Sequence, residues 1–127
     1  MSGTVKRATR VAERLREDLS NLLRDMRDPR IAGVLVSRVE ITDDLQSAKV
    51  HVRHEFGAED AAARRALLKG LDAASGRLRR DVARTMGLRV VPTLRFFYDE
   101  GPDAERRIEE LLREIKDGSD GSGGERS

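Results

Sequence analysis

Apolar residues recur at intervals of three and four through the first 26 positions. Val5, Ala8, Val11 or Ala12, Leu15, Leu19, Leu22 and Met26 make one stripe, the period of a helix with a single buried side. The spacing predicts a helix from about Thr4 to Met26. Asp28-Pro29 stops it, because a residue before proline avoids the helical region. The period then changes to two. Val34 to Thr42 and Ala48 to Glu55 read as strands, with Asp43-Asp44 opening the turn between them. In the second strand Val50 and Val52 share one face, while Lys49, His51 and Arg53 share the other.

Helical spacing returns after the connection from Gly57 to Asp60. Ala63, Leu67, Leu71 and Ala74 form a stripe that Leu78 and Val82 continue in phase. The sequence predicts two helical pieces here, meeting at a break formed by Ala74, Ser75 and Gly76. A glycine inside a helix costs about 1 kcal/mol relative to alanine. Two meanings of the break stay open. It is an ordinary packing glycine or bend, or a kink that frees backbone N–H groups at the start of the second piece for phosphate. Gly87 closes that piece, since glycine enters the left-handed cap conformation without steric penalty. Pro92 then favours an extended chain. A third strand from about Val91 to Tyr98 puts Leu94 and Phe96 in the core and Thr93, Arg95 and Phe97 on the reverse face. A last helix, from near Asp103 to Lys116, carries Ile108, Leu111, Leu112 and Ile115 as its inner stripe. Residues 1–116 are expected to form one domain, and residues 117–127, rich in glycine, serine and charge, a flexible tail.

The order helix, strand, strand, helix, broken helix, strand, helix specifies an α+β fold. The long helical crossover between strands two and three favours a parallel, right-handed connection, and strands one and two make an antiparallel hairpin. The economical result is a three-stranded mixed sheet, strand two central, with helices packed on one face.

Charge changes the picture locally more than globally. Charged residues make up 38% of the chain and the formal net charge is only +2, so the positions of the charges matter more than their sum. Arg77, Arg80 and Arg84 recur at intervals of three and four and form a cationic ridge on one helix side. Arg7, Arg10 and Arg14 form a flank on the first helix. The flank is either a solvated face or a contact to the RNA backbone, whereas the ridge, beside a backbone break at a helix start, suggests phosphate as its partner. A membrane-surface role for the first helix ranks behind both, since it lacks bulky aromatic anchors. Lys49 and Arg53 join an RNA surface only if RNA also reaches the sheet's open face. Aromatic residues are 3% of the chain and no RRM-type aromatic motif is present. Shape recognition of folded RNA is therefore expected, rather than a stacking platform.

Other chemistry is narrowed in the same way. There is no cysteine, so disulfides, thiolate metal sites and cysteine nucleophiles are excluded. His51 and His54 lie three apart in a strand and point to opposite faces, so they cannot chelate one ion without a bulge. No metal and no cofactor are expected. The carboxylate pairs Asp43-Asp44 and Asp99-Glu100 lie in turns without supporting ligands, so an enzyme, such as a metal-dependent nuclease, is not expected. The N-terminus lacks a signal-peptide core, and no run is long enough to span a membrane. A soluble cytoplasmic protein, monomeric when free, is the expectation.

The helix break and the strand order look like a type II KH module. The residues carry a closer likeness. A basic N-terminal helix ends in Asp28-Pro29-Arg30-Ile31. It is followed by Ile41-Thr42 with Asp44-Leu45, by Ala48-Lys49-Val50, by Ala74-Ser75-Gly76 with Leu78-Arg79, and by Leu88-Arg89 with Val91-Pro92 and Leu94-Arg95-Phe96. From about Val5 to Leu112 this resembles the bacterial ribosome-binding factor A family. In that family an Ala-x-Gly kink, here Ala74 and Gly76, stands where a KH domain has its G-x-x-G loop. The chain departs from the family where Asp99-Glu100 is followed by Gly101-Pro102. The resemblance implies a non-catalytic RNA-binding factor that binds free 30S subunits, contacts 16S rRNA, and assists late subunit maturation and rRNA processing. A protein–protein adaptor, or a nucleic-acid-binding KH module unrelated to the ribosome, is the alternative.

Overall fold

The computed structural model of the chain describes residues 2–55 and 60–117. Helix α1 spans Ser2–Asp25. A 3₁₀ turn, Pro29–Ile31, leads into strands β1 (Val34–Ile41) and β2 (Ser47–His54). Helix α2 spans Ala61–Met86, strand β3 Thr93–Tyr98 and helix α3 Gly101–Asp117. The strands form one sheet in the order β1-β2-β3, antiparallel between β1 and β2 and parallel between β2 and β3. This is the expected α+β, KH-like mixed sheet with β2 at its centre.

One sheet face is covered. The stripe of α1 buries Ala8, Ala12, Leu15, Leu19 and Leu23, which settles the choice between Val11 and Ala12 and replaces Leu22 by Leu23 as the deeper residue. Val5 lies outside the residues whose side chains are described. Helix α1 packs over β1 and α2 over β3, and the two helices touch along a seam. Between them and the sheet lie Val50, Val52, Leu67, Leu71, Leu78 and Val82, all fully buried. Burying a leucine or valine this way contributes roughly 1.5–3 kcal/mol.

Local chemistry fixes the ends of α2. The Asp60 carboxylate accepts the Ala63 N–H at 2.8 Å as the N-cap. Gly87 ends the helix in the left-handed conformation with φ 64°. In the segment after α1, Asp28 caps the 3₁₀ turn by accepting from the Arg30 N–H at 2.9 Å. The buried Ile31 then plugs the space over Gly70. A Cβ on Gly70 would stand 2.9 Å from Arg30 Cβ and from Ile31 Cγ2.

Two expectations are corrected. First, no separation into two helices occurs: α2 is one helix of 26 residues that passes through Ala74, Ser75 and Gly76. The apolar stripe keeps its phase there, and the covering of one continuous sheet face outweighs a glycine penalty of about 1 kcal/mol. Second, the stripe of α3 is not an inner one. Ile108, Leu111, Leu112 and Ile115 are 52–66% exposed. The covered sheet face is already filled by α1 and α2, which leaves α3 no place on it. The expected tail lies outside the described residues beyond Asp117, as does Gly57 of the α2 connection.

Candidate nucleic-acid interface

The α2 ridge forms as expected on the side away from the sheet. Leu78 and Val82 point into the core, and Arg77, Arg80 and Arg84 are exposed. One carboxylate serves two of them. Asp81 Oδ2 lies 3.8 Å from Arg77 Nε, and Asp81 Oδ1 is bonded by Arg84. Arg80 is in no ion pair among the described residues. These pairs do not lock the ridge. Arg77 and Arg84 are 64% and 75% exposed, and exposed pairs contribute only about 0–1 kcal/mol. A phosphate can therefore replace Asp81 at small cost, and the ridge keeps an excess of positive charge. Asp81 is legible in the sequence, since it stands four after Arg77 and three before Arg84, the spacings at which helix side chains meet.

Arg79, beside the ridge, plays another part. Its Nε and Nη2 donate to the Pro92 and Val91 carbonyls at 3.2 and 3.0 Å. It ties α2 to the entrance of β3, and spacing along the helix gives no signal of that. Ser75, at the expected break, donates from Oγ to the Asp72 carbonyl at 2.9 Å. Gly76 has open space, where a Cβ would meet only Arg80 Nη1, at 3.8 Å. Residues inside an unbroken helix commit their N–H groups to the helix ladder. The backbone at Ala74, Ser75 and Gly76 therefore offers phosphate no freed donors, and recognition there falls to the arginine side chains.

On α1, Arg7, Arg10 and Arg14 are exposed. Arg10 and Arg14 border a shallow depression of about 350 Å³ that Glu13, Glu17 and Asp18 also line. Arg16 pairs with Glu13 at 3.1 Å. Asp18, one turn beyond Arg14, accepts from the hydroxyl of Thr85, which follows Arg84. The C-terminal ends of the two arginine rows therefore come to the same seam between α1 and α2.

Lys49 and Arg53 lie apart from this group, on the opposite sheet face. Lys49 stands in register between Glu40 of β1 and Arg95 of β3, and His51 between Arg38 and Phe97. The two histidines diverge as alternation requires. His51 Nε2 lies 2.9 Å from Glu40 Oε1, whereas His54 Nδ1 meets the Tyr98 hydroxyl at 3.2 Å. His51 is not the solvated side chain its polar face suggests, being only 14% exposed. Its hydrogen bond holds the Glu40 carboxyl below the usual range, aided by Arg38 and Lys49. Among the described residues no group of three or more histidine, aspartate or glutamate side chains is gathered as a metal site would require.

Comparison with known proteins gives this geometry a lineage. A family model described as ribosome-binding factor A matches residues 7–112. The chain belongs to the ribosome-binding factor A family. The match takes in most of the three helices and the whole sheet. The ribosome-binding factor A of Sorangium cellulosum (strain So ce56) is 97% identical over 121 residues, covering 95% of this chain and 98% of that one. The crystal structure of ribosome-binding factor A from Thermus thermophilus has the same fold, with a TM-score of 0.62 at 23% identity. The match covers 72% of this chain and 93% of that one. A second Thermus thermophilus ribosome-binding factor A structure, a homology model fitted into an electron cryomicroscopy map of a 30S complex, gives a TM-score of 0.57 at 27% identity. There the match covers 69% of this chain and 90% of the other. No helix among the described residues is long and apolar enough to cross a membrane.

Proposed function

We propose that the chain is a non-catalytic assembly factor that binds the free 30S subunit in the cytoplasm. There it contacts 16S rRNA and assists the late maturation and processing of that RNA. Family membership across residues 7–112 carries the reading, and the related protein fitted into a 30S complex supports it. The surface chemistry agrees. Arg77, Arg80 and Arg84, with Arg7, Arg10 and Arg14 on α1, present guanidinium groups to phosphates. Such contacts set register and affinity, and shape selects the site.

Gradient sedimentation tests the partner: the purified protein should travel with isolated 30S subunits and not with complete ribosomes. Alanine at Arg77, Arg80 or Arg84 should weaken that binding and lower its salt slope by about 1 for each phosphate no longer held. Unchanged affinity and slope in all three variants would remove the ridge from the interface. With magnesium present, the pure protein should leave precursor rRNA uncut. A protein adaptor, by contrast, would retain its partner after ribonuclease treatment.

A further inference from the structure

Among the described residues no helix packs on the sheet's second face, and its side chains are of two kinds. Phe97 is the one exposed aromatic ring among the described residues, at 39%. The His51 ring lies 5.9 Å from it, tilted by 30°. Around this pair the register places Arg38 and His51 in one cross-strand row with Phe97, and Lys49 with Arg95 in the next. Arg53, two residues after His51 in β2, lies on the same side as His51. None of these four cations, Arg38, Lys49, Arg53 and Arg95, is in an ion pair among the described residues. Three carboxylates stand near them: Glu55 lines the same groove as Arg53, and the two beside Arg38, Lys49 and Arg95 are occupied. Glu40 is bonded to His51 at 2.9 Å. Asp99 accepts from Ser37 Oγ at 2.6 Å and from the Gly101 N–H at 3.0 Å.

We propose that this face is a second RNA surface, on which Phe97 stacks an unpaired base while Arg38, Lys49 and Arg95 hold the neighbouring phosphates. The inference rests on the RNA-binding reading above and deepens it by naming a single-stranded segment as ligand. Charge complementarity selects a polyanion, and the aromatic ring selects among polyanions. A duplex keeps its base faces covered, whereas an unpaired strand can offer one to a flat ring set among cations. The low aromatic content of the chain argues against a platform of several rings, but one ring suffices for one base. The face lies across the sheet from the α2 ridge, so a subunit contacting both would bring paired RNA to the helices and an unpaired segment to the strands.

The full chain has no tryptophan, so Phe97→Trp introduces a single reporter at the stacking position. A short unpaired RNA of mixed sequence should quench it, and a fully paired RNA duplex should not. Phe97→Leu keeps apolar bulk without a π-face and should weaken binding of the unpaired RNA about tenfold. Arg95→Gln, on an exposed side chain far from the core, should weaken it as well and reduce the salt slope by about 0.7. This second variant decides the matter should either change at Phe97 disturb folding. Indifference of both the tryptophan signal and the two affinities overturns the inference, as does a parent chain that ignores unpaired RNA. Equal quenching by polyglutamate would assign the face to acidic protein and overturn it too. Binding to 30S subunits keeps the readings separate. If the Arg77, Arg80 and Arg84 variants bind 30S subunits more weakly while the sheet variants behave like the parent, the ridge stands and the stacking surface falls.

Discussion

Two glycines of α2 look alike in sequence and differ in what surrounds them. A Cβ at Gly76 meets only the far end of Arg80, at 3.8 Å. Gly76→Ala should therefore stabilise the protein by about 0.5–1 kcal/mol through helix propensity. A Cβ at Gly70 would fall 2.9 Å from Arg30 Cβ and the Ile31 side chain, and neither is a flexible end. Overpacking of this kind typically costs about 1–3 kcal/mol, so Gly70→Ala should destabilise the protein despite the same propensity gain. Urea midpoints at unchanged slope check both signs. Another single-residue effect is electrostatic. The Ser37 hydroxyl, with help from the Gly101 N–H, holds the Asp99 carboxyl below its ordinary value. A depressed carboxyl pKa contributes stability above the unfolded value of about 3.9 and loses it as pH falls through the folded value. Ser37→Ala should therefore cost about 1.5 kcal/mol at neutral pH. The gap between variant and parent should narrow below about pH 4, as followed by thermal unfolding across the acid range.

At the scale of elements, α3 and α2 mark the limits of periodicity. The spacing of Ile108, Leu111, Leu112 and Ile115 shows that α3 has an apolar side, but not whether any surface is left to receive it. Because that side is exposed, Leu112→Ser should shift the unfolding midpoint by less than about 2 °C, a change of well under 1 kcal/mol. A calorimetric scan of the variant reads this. The stripes of α1 and α2, the alternation of β2 and β3, and the cap at Gly87 are all legible, since each is written in consecutive residues. Gly76 reads as a break when local propensity is weighed without the sheet beneath it. The Arg79 bonds to Val91 and Pro92 and the Ser37–Asp99 bond join residues 12 to 62 apart, and the fit of Ile31 over Gly70 is also long-range. No spacing rule reaches that far. The ridge of Arg77, Arg80 and Arg84 is visible as a pattern, and Asp81, at helical spacing from Arg77 and Arg84, is legible with it.

At the scale of the molecule, three strands form a thin partition with helical arginines on one side and a basic, partly aromatic face on the other. Its assembly has a natural sequence. The β1–β2 hairpin joins neighbours across a short turn, whereas β3 pairs with β2 in parallel only after the 26 residues of α2 have crossed over. Pairing across a long connection is entropically slow. A nascent chain can thus dock α1 on its hairpin early, while Val50 and Val52 wait for α2 to cover them. Phe97 and Arg95 take their places beside His51 and Lys49 only after that crossover, so the strand face gains its ring and its last cation late in folding.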